Sequence, residues 1–295
     1  MNKLDKCPVC NSADFKLYLN CKDHTVSGEV FSIVNCNSCS FKFTNPRPQD
    51  SEIGNYYKSE DYISHSNTSK GLISKLYKLV RNYTLKGKVS LVAEHSKKGN
   101  LLDYGCGTGM FLSVAKSSTW NVYGIEPDFS AREYSKKENK LVVYSDIEDA
   151  NKALADVKFN CITLWHVLEH VTDLNGTLNW FNKMLQADGT LIIAVPNYTS
   201  YDAQHYKEYW AAYDVPRHLY HFNQDSITSL LKQHGFKHIK SLPMKFDSYY
   251  VSMLSEKYRA GSINYLKAFL SGFKSNLRAK QAQDYSSVIY VFKKA

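Results

Sequence analysis

The sequence predicts an α/β protein built on a doubly wound, mostly parallel sheet, with a small metal-stapled module in front of it. Three observations predict it. From Asn100 onward, short apolar runs alternate with helix-length segments, the pattern of a parallel sheet covered on both faces. The first of these runs leads into a glycine-rich turn, LLDYGCGTGMFL. Upstream, two Cys-x2-Cys pairs bracket a segment too small to bury a core of its own.

Residues 1–45 are polar and strand-like (FKLYL, VFSIV, FKF). Cys7-Pro8-Val9-Cys10 and Cys36-Asn37-Ser38-Cys39 have the spacing of a zinc ribbon, in which four thiolates close a tetrahedral shell around a structural Zn2+. Two disulfides or four free thiols are the alternatives. Cys21, Cys106 and Cys161 fall outside the pattern, and Cys161 reads as a small buried hydrophobe in a strand. The odd total of seven cysteines fits a reducing compartment better than a disulfide framework.

Asn45-Pro46-Arg47-Pro48 ends this unit. Residues 46–97 read as a helical connector, clearest from Ile73 to Lys98, where apolar residues recur at helical spacing. Residues 98–295 form the main domain. Its strand candidates are LLDY, VYGIE, LVVY, FNCITLW and TLIIAV, followed by FKHIKSLPM and SSVIYVFKK. A helix opens at Asn223 and closes at Gly235. The aromatic, His-rich stretch 197–222 reads as a lid over an acceptor site.

With 295 residues, the chain has room for one sizeable core and an accessory unit. Hydrophobic content of 43% and charged content of 22% exclude a disordered or collagen-like chain. No apolar run approaches the ~18 residues of a spanning helix, and the start lacks the apolar core of a signal peptide, so a cytoplasmic address is expected. A net charge of +9 is compatible with nucleic acid, an anionic membrane surface or a phosphorylated small substrate. Lysines scattered over helical segments read more simply as a solvated face.

Glycines 105, 107 and 109 sit between a strand and a helix, where missing Cβ atoms let a ligand lie against the backbone. A dinucleotide fingerprint requires Gly or Ala at position 110, which is Met110 here, so an NAD-linked oxidoreductase is disfavoured. Asp103-Tyr104-Gly105-Cys106-Gly107-Thr108-Gly109 resembles the first motif of the class I methyltransferases that use S-adenosyl-L-methionine. The resemblance continues through NVYGIEPD, YSDIED, LWHVLEHVTD, AVPNYTS and WAAYDVPRHLYHFN, covering residues 100 to about 225 in order. It implies a Rossmann-like, seven-stranded sheet with an antiparallel last strand. It also implies that Glu126 receives the ribose hydroxyls, that Asp146 contacts the adenine amino group, and that Tyr104, Pro127, Ile147, Trp165 and His166 line the cofactor.

Methyl transfer is an in-line displacement in which alignment is the main task, and a base is needed only for a weakly nucleophilic acceptor. Histidine suits that role, with an unperturbed pKa of roughly 6.5. His166, His170, His205, His218 and His221 fall in the cleft region, and His166, His170 and His218 are the catalytic candidates. Tyr206, Trp210, Tyr213 and Arg217 are candidates for the acceptor wall, the alternative for Arg217 being a structural pair with a core carboxylate. His166-Val167-Leu168-Glu169-His170 spells H-x-x-E-H, an inverted metalloprotease motif, but it sits at the exit of a sheet strand and the resemblance explains it without zinc.

Sugar C-methyltransferases acting on nucleotide-linked deoxysugars are similar in joining a four-cysteine zinc module to such a domain. Their pattern continues into a further C-terminal domain that this sequence does not include. The resemblance therefore implies a sugar, glycan or lipid-linked acceptor, as in polysaccharide or cofactor biosynthesis, rather than C-methylation in particular. An RNA methyltransferase using the zinc ribbon on the phosphate backbone is the second reading. Against a nucleic-acid partner stands LWHVLEH, where a base-clamping enzyme would carry an Asn-Pro-Pro-Tyr type motif. A non-catalytic binding module with a vestigial cofactor loop is the third.

Overall fold

The computed structural model describes residues 1–57 and 72–295. The part of the expected connector at 58–71 lies outside the described residues, and the described remainder contains a 3-10 turn at Ile53–Tyr57 and helix α1, Leu72–His95.

Eleven strands fall into two sheets among the described residues. The larger holds seven: β4 (Asn100–Tyr104), β5 (Asn121–Ile125), β6 (Val142–Tyr144), β7 (Phe159–Trp165), β8 (Leu185–Pro196), β10 (Phe236–Pro243) and β11 (Ser287–Lys294). Their order is β10-β11-β8-β7-β4-β5-β6, parallel from β6 to β8, with β11 antiparallel to both of its neighbours. This is the sheet the sequence and the resemblance predict.

Both faces of the sheet are covered, which the apolar runs encode. Along β8, Leu191, Ile193 and Val195 enter one core cluster while Ile192 and Ala194 enter the other. The first face packs on α4 (Ile147–Ala153), α5 (Leu174–Met184) and α7 (Gln224–Gln233). The second packs on α1 and α2 (Met110–Ser117). Helix α3 (Phe129–Lys137) links β5 to β6 and starts from the Asp128 side chain, which accepts the Ala131 amide. Helix α7 starts from Asn223, which forms a reciprocal capping box with Ser226.

The smaller sheet contains β1 (Phe15–Lys22), β2 (Val30–Cys36) and β3 (Lys42–Thr44), and it is completed by β9 (Tyr220–His221) from the segment after β8. Strand β9 pairs antiparallel with β3, Lys42 opposite His221 and Phe43 opposite Tyr220. The Thr44 amide donates to the Leu219 carbonyl at 3.0 Å and its hydroxyl to that of His218 at 2.8 Å. Cys7, Phe41 and Phe43 share one core cluster with Tyr220, Phe222 and the β8 side chains. The N-terminal unit is thus sewn to the main domain by backbone and core alike, and the 197–222 stretch read as a lid is instead largely interior.

The segment between β10 and β11, to which the sequence pattern assigns no element, forms helices α8 (Asp247–Ala260) and α9 (Tyr265–Ala282). A short helix α6 (Tyr201–Tyr206) follows β8 and packs against both. Among the described residues no helix is long and apolar enough to cross a membrane.

Arg217, only 1% exposed, ties the segment that leads into β9 to the N-terminal unit through Asp23, with Asp214 of its own turn as the second carboxylate. Replacing it with methionine leaves two carboxylates facing a buried apolar group. Arg217→Met is expected to lower the unfolding free energy by about 3–5 kcal/mol. Urea denaturation followed by near-UV and far-UV dichroism should show one shared transition, since the smaller sheet cannot open without β9.

Candidate active site and cysteine cluster

The loop after β4 holds Gly105, Gly107 and Gly109 in the left-handed region, at φ of 75°, 54° and 76°. Their roles differ. A Cβ on Gly105 would stand 2.5 Å from the Val167 side chain, and one on Gly109 would collide with Leu141 and Ser135. A Cβ on Gly107 would meet nothing within 4 Å. Packing therefore fixes the outer two glycines, while Gly107 leaves an open cradle over the backbone.

Glu126, at the end of β5, faces this cradle. Its Oε2 accepts the Gly107 amide at 2.7 Å and its Oε1 the Asp128 amide at 2.9 Å. Each carboxylate oxygen keeps a further lone pair for a ligand hydroxyl. Burial raises the pKa of Glu126, and the two amides oppose that shift. Asp103 is buried, accepts the Thr163 hydroxyl at 2.6 Å, and is pushed up to about 7 by burial. The Lys88 ammonium from α1 approaches this group and lies 4.3 Å above the Trp165 ring.

Asp146 is exposed at the end of β6, where it caps α4 by accepting the Asp149 amide at 2.8 Å. Pro127 is exposed beside Glu126, and Ile147 is half-buried at the start of α4. Tyr104 instead turns into the core, its ring edge-on to Phe181 at 5.2 Å. The carboxyl ends of β4, β5, β6 and β7 thus bring together Asp103, the glycines, Glu126, Asp146, Trp165 and His166. They meet at the point where the strand order reverses, which is where open α/β sheets bind ligands.

His166 leaves β7 in the left-handed region, at φ 60°. Its Nε2 lies 2.9 Å from Asp247 Oδ2 and its Nδ1 3.5 Å from Glu169 Oε1. Burial works against the charged ring, but the two carboxylates outweigh it and lift the pKa to about 9. A ring protonated at neutral pH is a poor proton acceptor, which counts against His166 as a base.

His218 differs. Its Nδ1 donates to the Ala212 carbonyl at 2.9 Å, which leaves Nε2 as the lone-pair nitrogen. Burial, then the neighbouring His170, hold the ring neutral, well below its ordinary pKa. His170 Nδ1 lies 3.0 Å from the Arg217 carbonyl and 2.9 Å from the Tyr57 hydroxyl, and its ring meets His218 edge-on at 4.5 Å. Glu169 is fully buried beside them, with neither carboxylate oxygen in a hydrogen bond of good geometry. His221 is pulled down to about 3 by burial and bonds the Thr44 hydroxyl, a structural position, whereas His205 stacks on Tyr201 away from the cradle.

The four residues expected to wall the acceptor are nearly closed to solvent. Tyr206 donates to Glu256 at 3.1 Å, Trp210 to Asp202 at 2.8 Å, and Tyr213 to the Tyr18 hydroxyl at 3.5 Å. Arg217 takes the structural role that the sequence left open, with both Asp214 oxygens, Asp23 Oδ1 and the Tyr56 carbonyl as acceptors. Sequence reasoning missed Lys88, Asp247 and Tyr57 in the cleft. Only the fold brings Asp247 to His166, 81 positions apart.

At the far end of the smaller sheet, Cys7 and Cys39 Sγ lie 3.6 Å apart and Cys10 and Cys36 Sγ 3.5 Å apart. All four sulfurs fall within 4.8 Å of one another. A disulfide needs about 2.05 Å, whereas a tetrahedron of Zn–S bonds of about 2.3 Å has edges near 3.8 Å. The two turns match. Asn11 and Ser40, each following the second cysteine of its pair, have φ of 60° and 59°, and their amides donate to the Cys7 and Cys36 carbonyls. Val9 and Cys10 amides point at the Cys7 sulfur, and Ser38 and Cys39 amides at that of Cys36. The cluster fits a metal ion held by thiolates.

The profile of a family described as "Methyltransferase domain" matches residues 77–241, more than half of the chain. A ubiquinone biosynthesis O-methyltransferase from Pelagibacter ubique is 29% identical over 106 residues, covering 35% of this chain and 44% of the relative. The alignment therefore spans less than half the length of that curated relative. The crystal structure of magnesium protoporphyrin IX methyltransferase from Synechocystis PCC 6803 with bound SAH is similar at a TM-score of 0.53, with 14% identity, over 84% of this chain and 100% of its own. The same protein with bound SAM matches at 0.50, with 15% identity, over 85% and 100%.

Two expectations follow. Gly107→Ala should cost only the strain of a left-handed residue, roughly 1–2 kcal/mol, whereas Gly105→Ala adds a collision with Val167 worth about 1–3 kcal/mol more; urea denaturation of both variants would read the difference. His166 has a folded pKa of about 9 against an ordinary 6.5. Its pairing therefore stabilises the fold fully below pH 6.5 and is lost as pH rises through 9. Denaturation at a series of pH values should show the wild type losing more stability across that window than His166→Asn, and parallel profiles would contradict the ion-pair assignment.

Proposed function

The chain belongs to the methyltransferase-domain family, and from that membership we propose that it transfers a methyl group from S-adenosyl-L-methionine to a small or glycan-type acceptor. Sugars, nucleotide sugars and lipid-linked or cofactor precursors make up that class, the acceptors of polysaccharide and cofactor biosynthesis. The observation that carries the reading is the open Gly107 cradle with the Glu126 carboxylate beside it, at the switch point of a seven-stranded sheet. The curated relative's role in ubiquinone biosynthesis supports a small-molecule acceptor.

When bound, S-adenosyl-L-methionine supplies a methyl group on a sulfonium whose departure needs no acid. Glu126 offers its remaining lone pairs to the ribose hydroxyls, and Asp146 offers an exposed carboxylate to the adenine amino group. Gly107 admits the ligand against the backbone. Trp165, with the Lys88 ammonium of α1 over its ring, would stand at the end of β7 beside the cofactor. For a hydroxyl or carbon-acid acceptor, His218 is the candidate whose Nε2 keeps its lone pair, because its Nδ1 proton is committed to Ala212, although the burial that holds the ring neutral also weakens it as a base. His170 stands beside it and could pass the proton outward.

Cys7, Cys10, Cys36 and Cys39 would hold one structural zinc ion, stapling a unit whose own core is small. Thiolate ligation calls for a reducing compartment, in keeping with the cytoplasm.

Calorimetric titration with S-adenosylmethionine, S-adenosylhomocysteine and NAD, with a zinc assay on the same sample, tests both parts. Micromolar binding of the two sulfur compounds, none of NAD, and one zinc per chain are expected. Glu126→Ala should weaken cofactor binding at least about tenfold through lost charge-assisted hydrogen bonds. Folded protein that binds neither sulfur compound would sink the reading.

A further inference from the structure

Helix α9 is amphipathic the wrong way round for a protein surrounded by water. Its inward face is small: Ala268, Ser271, Gly272, Ser275 and Ala279 are buried. A Cβ on Gly272 would come within 2.9 Å of the Tyr249 backbone, so this face is packed as tightly as the chain allows. Its outward face carries Tyr265, Leu266, Phe269, Leu270, Phe273 and Leu277, each between 45% and 69% exposed. On a helix of 3.6 residues per turn these six fall within one continuous arc. Exposed apolar residues scattered singly need no explanation, but a contiguous stripe of this size marks a contact surface.

The charge around the stripe says what it contacts. No Asp or Glu occurs between Gly261 and Gln283, while Lys267, Lys274, Arg278 and Lys280 do. Lys267, Lys274 and Arg278 are exposed and line one edge of the apolar arc. An isologous contact with a second copy would set this cationic face against itself. An anionic bilayer surface satisfies both features: apolar rings enter the headgroup and acyl boundary while lysine and arginine reach the phosphates. The helix is about 27 Å long and lies along the protein surface, suited to resting in the plane of an interface.

We propose that the outward face of α9 docks the protein on anionic lipid bilayers. The face leads toward the catalytic cleft: Phe269 stacks on Tyr249, and Phe246, exposed and edge-on to Tyr83, immediately precedes the Asp247 that holds His166. A bilayer seated there lies beside the cleft's rim. The docking stands apart from the methyl-transfer reading, because it is read by binding alone.

The test is co-sedimentation with vesicles of phosphatidylcholine and of phosphatidylcholine containing about one-third phosphatidylglycerol, at low and high salt. Wild-type protein is expected to pellet with the anionic vesicles and to be released by salt. Phe269→Glu/Phe273→Glu should bind at least about tenfold less, with unchanged dichroism and unchanged S-adenosylmethionine titration. Lys267→Gln/Lys274→Gln should lose anionic selectivity. Wild-type protein left in the supernatant, equal pelleting with pure phosphatidylcholine, or unimpaired binding by the Phe double variant would overturn the proposal. So would a concentration-dependent dimer in light scattering that this double variant disperses, since a second copy would then be the occupant.

Discussion

The arrangement of the whole molecule depends on one buried guanidinium. Burying Arg217 with Asp23 and Asp214 is costly unless every donor is used, and here Nε, Nη1 and Nη2 all find acceptors on three separate stretches of chain. That requirement is geometric, so it places Asp23 from the smaller sheet, the Tyr56 carbonyl and the turn at Asp214 at fixed positions. Strand β9 begins three residues beyond Arg217 and pairs with β3. The Arg217 carbonyl takes the His170 ring, and His218 is its neighbour in the chain. The four-cysteine unit and the candidate base are thereby held by the same side chain.

The cleft is electrostatically divided. Around the glycine loop, Asp103 and Glu126 are carboxylates whose pKa values burial raises, with Lys88 offsetting the charge of Asp103. Around the histidines, one ring is held cationic between Asp247 and Glu169 while another is held neutral by desolvation. Two imidazoles that share the buried Glu169 as a neighbour are thus driven in opposite directions by the rest of their surroundings. That contrast distinguishes His218 from His166.

The inserted helices α8 and α9 are held by polar bonds as much as by apolar contact. Asp202, fully buried on α6, accepts from Trp210, Ser275 and Ser286, and so joins α9 to the residue that leads into β11. Ser248 donates to the Gly272 carbonyl, and the Ser255 hydroxyl accepts the Ala211 amide. With small residues and hydroxyls supplying the inner contact, the large apolar side chains of α9 are left for the outside.

The sequence by itself determined the strands, the glycine loop, Asp103 and Glu126 at the strand ends, and the cysteine spacing, because each is written in residues close together in the chain. Apolar alternation along TLIIAV or SSVIYVFKK carries its own reading, and so does a Cys-x2-Cys turn. Only the tertiary structure decided what Tyr206, Trp210 and Arg217 do, since a ring or a guanidinium has the same local signature whether its polar tip faces a ligand or a carboxylate. Glu256, Asp23 and Tyr56 lie 50, 194 and 161 positions from their partners. The same holds for α9, to which the sequence pattern assigns no element: the close fit of Gly272 against α8 turns its small residues inward and leaves the apolar ones outside.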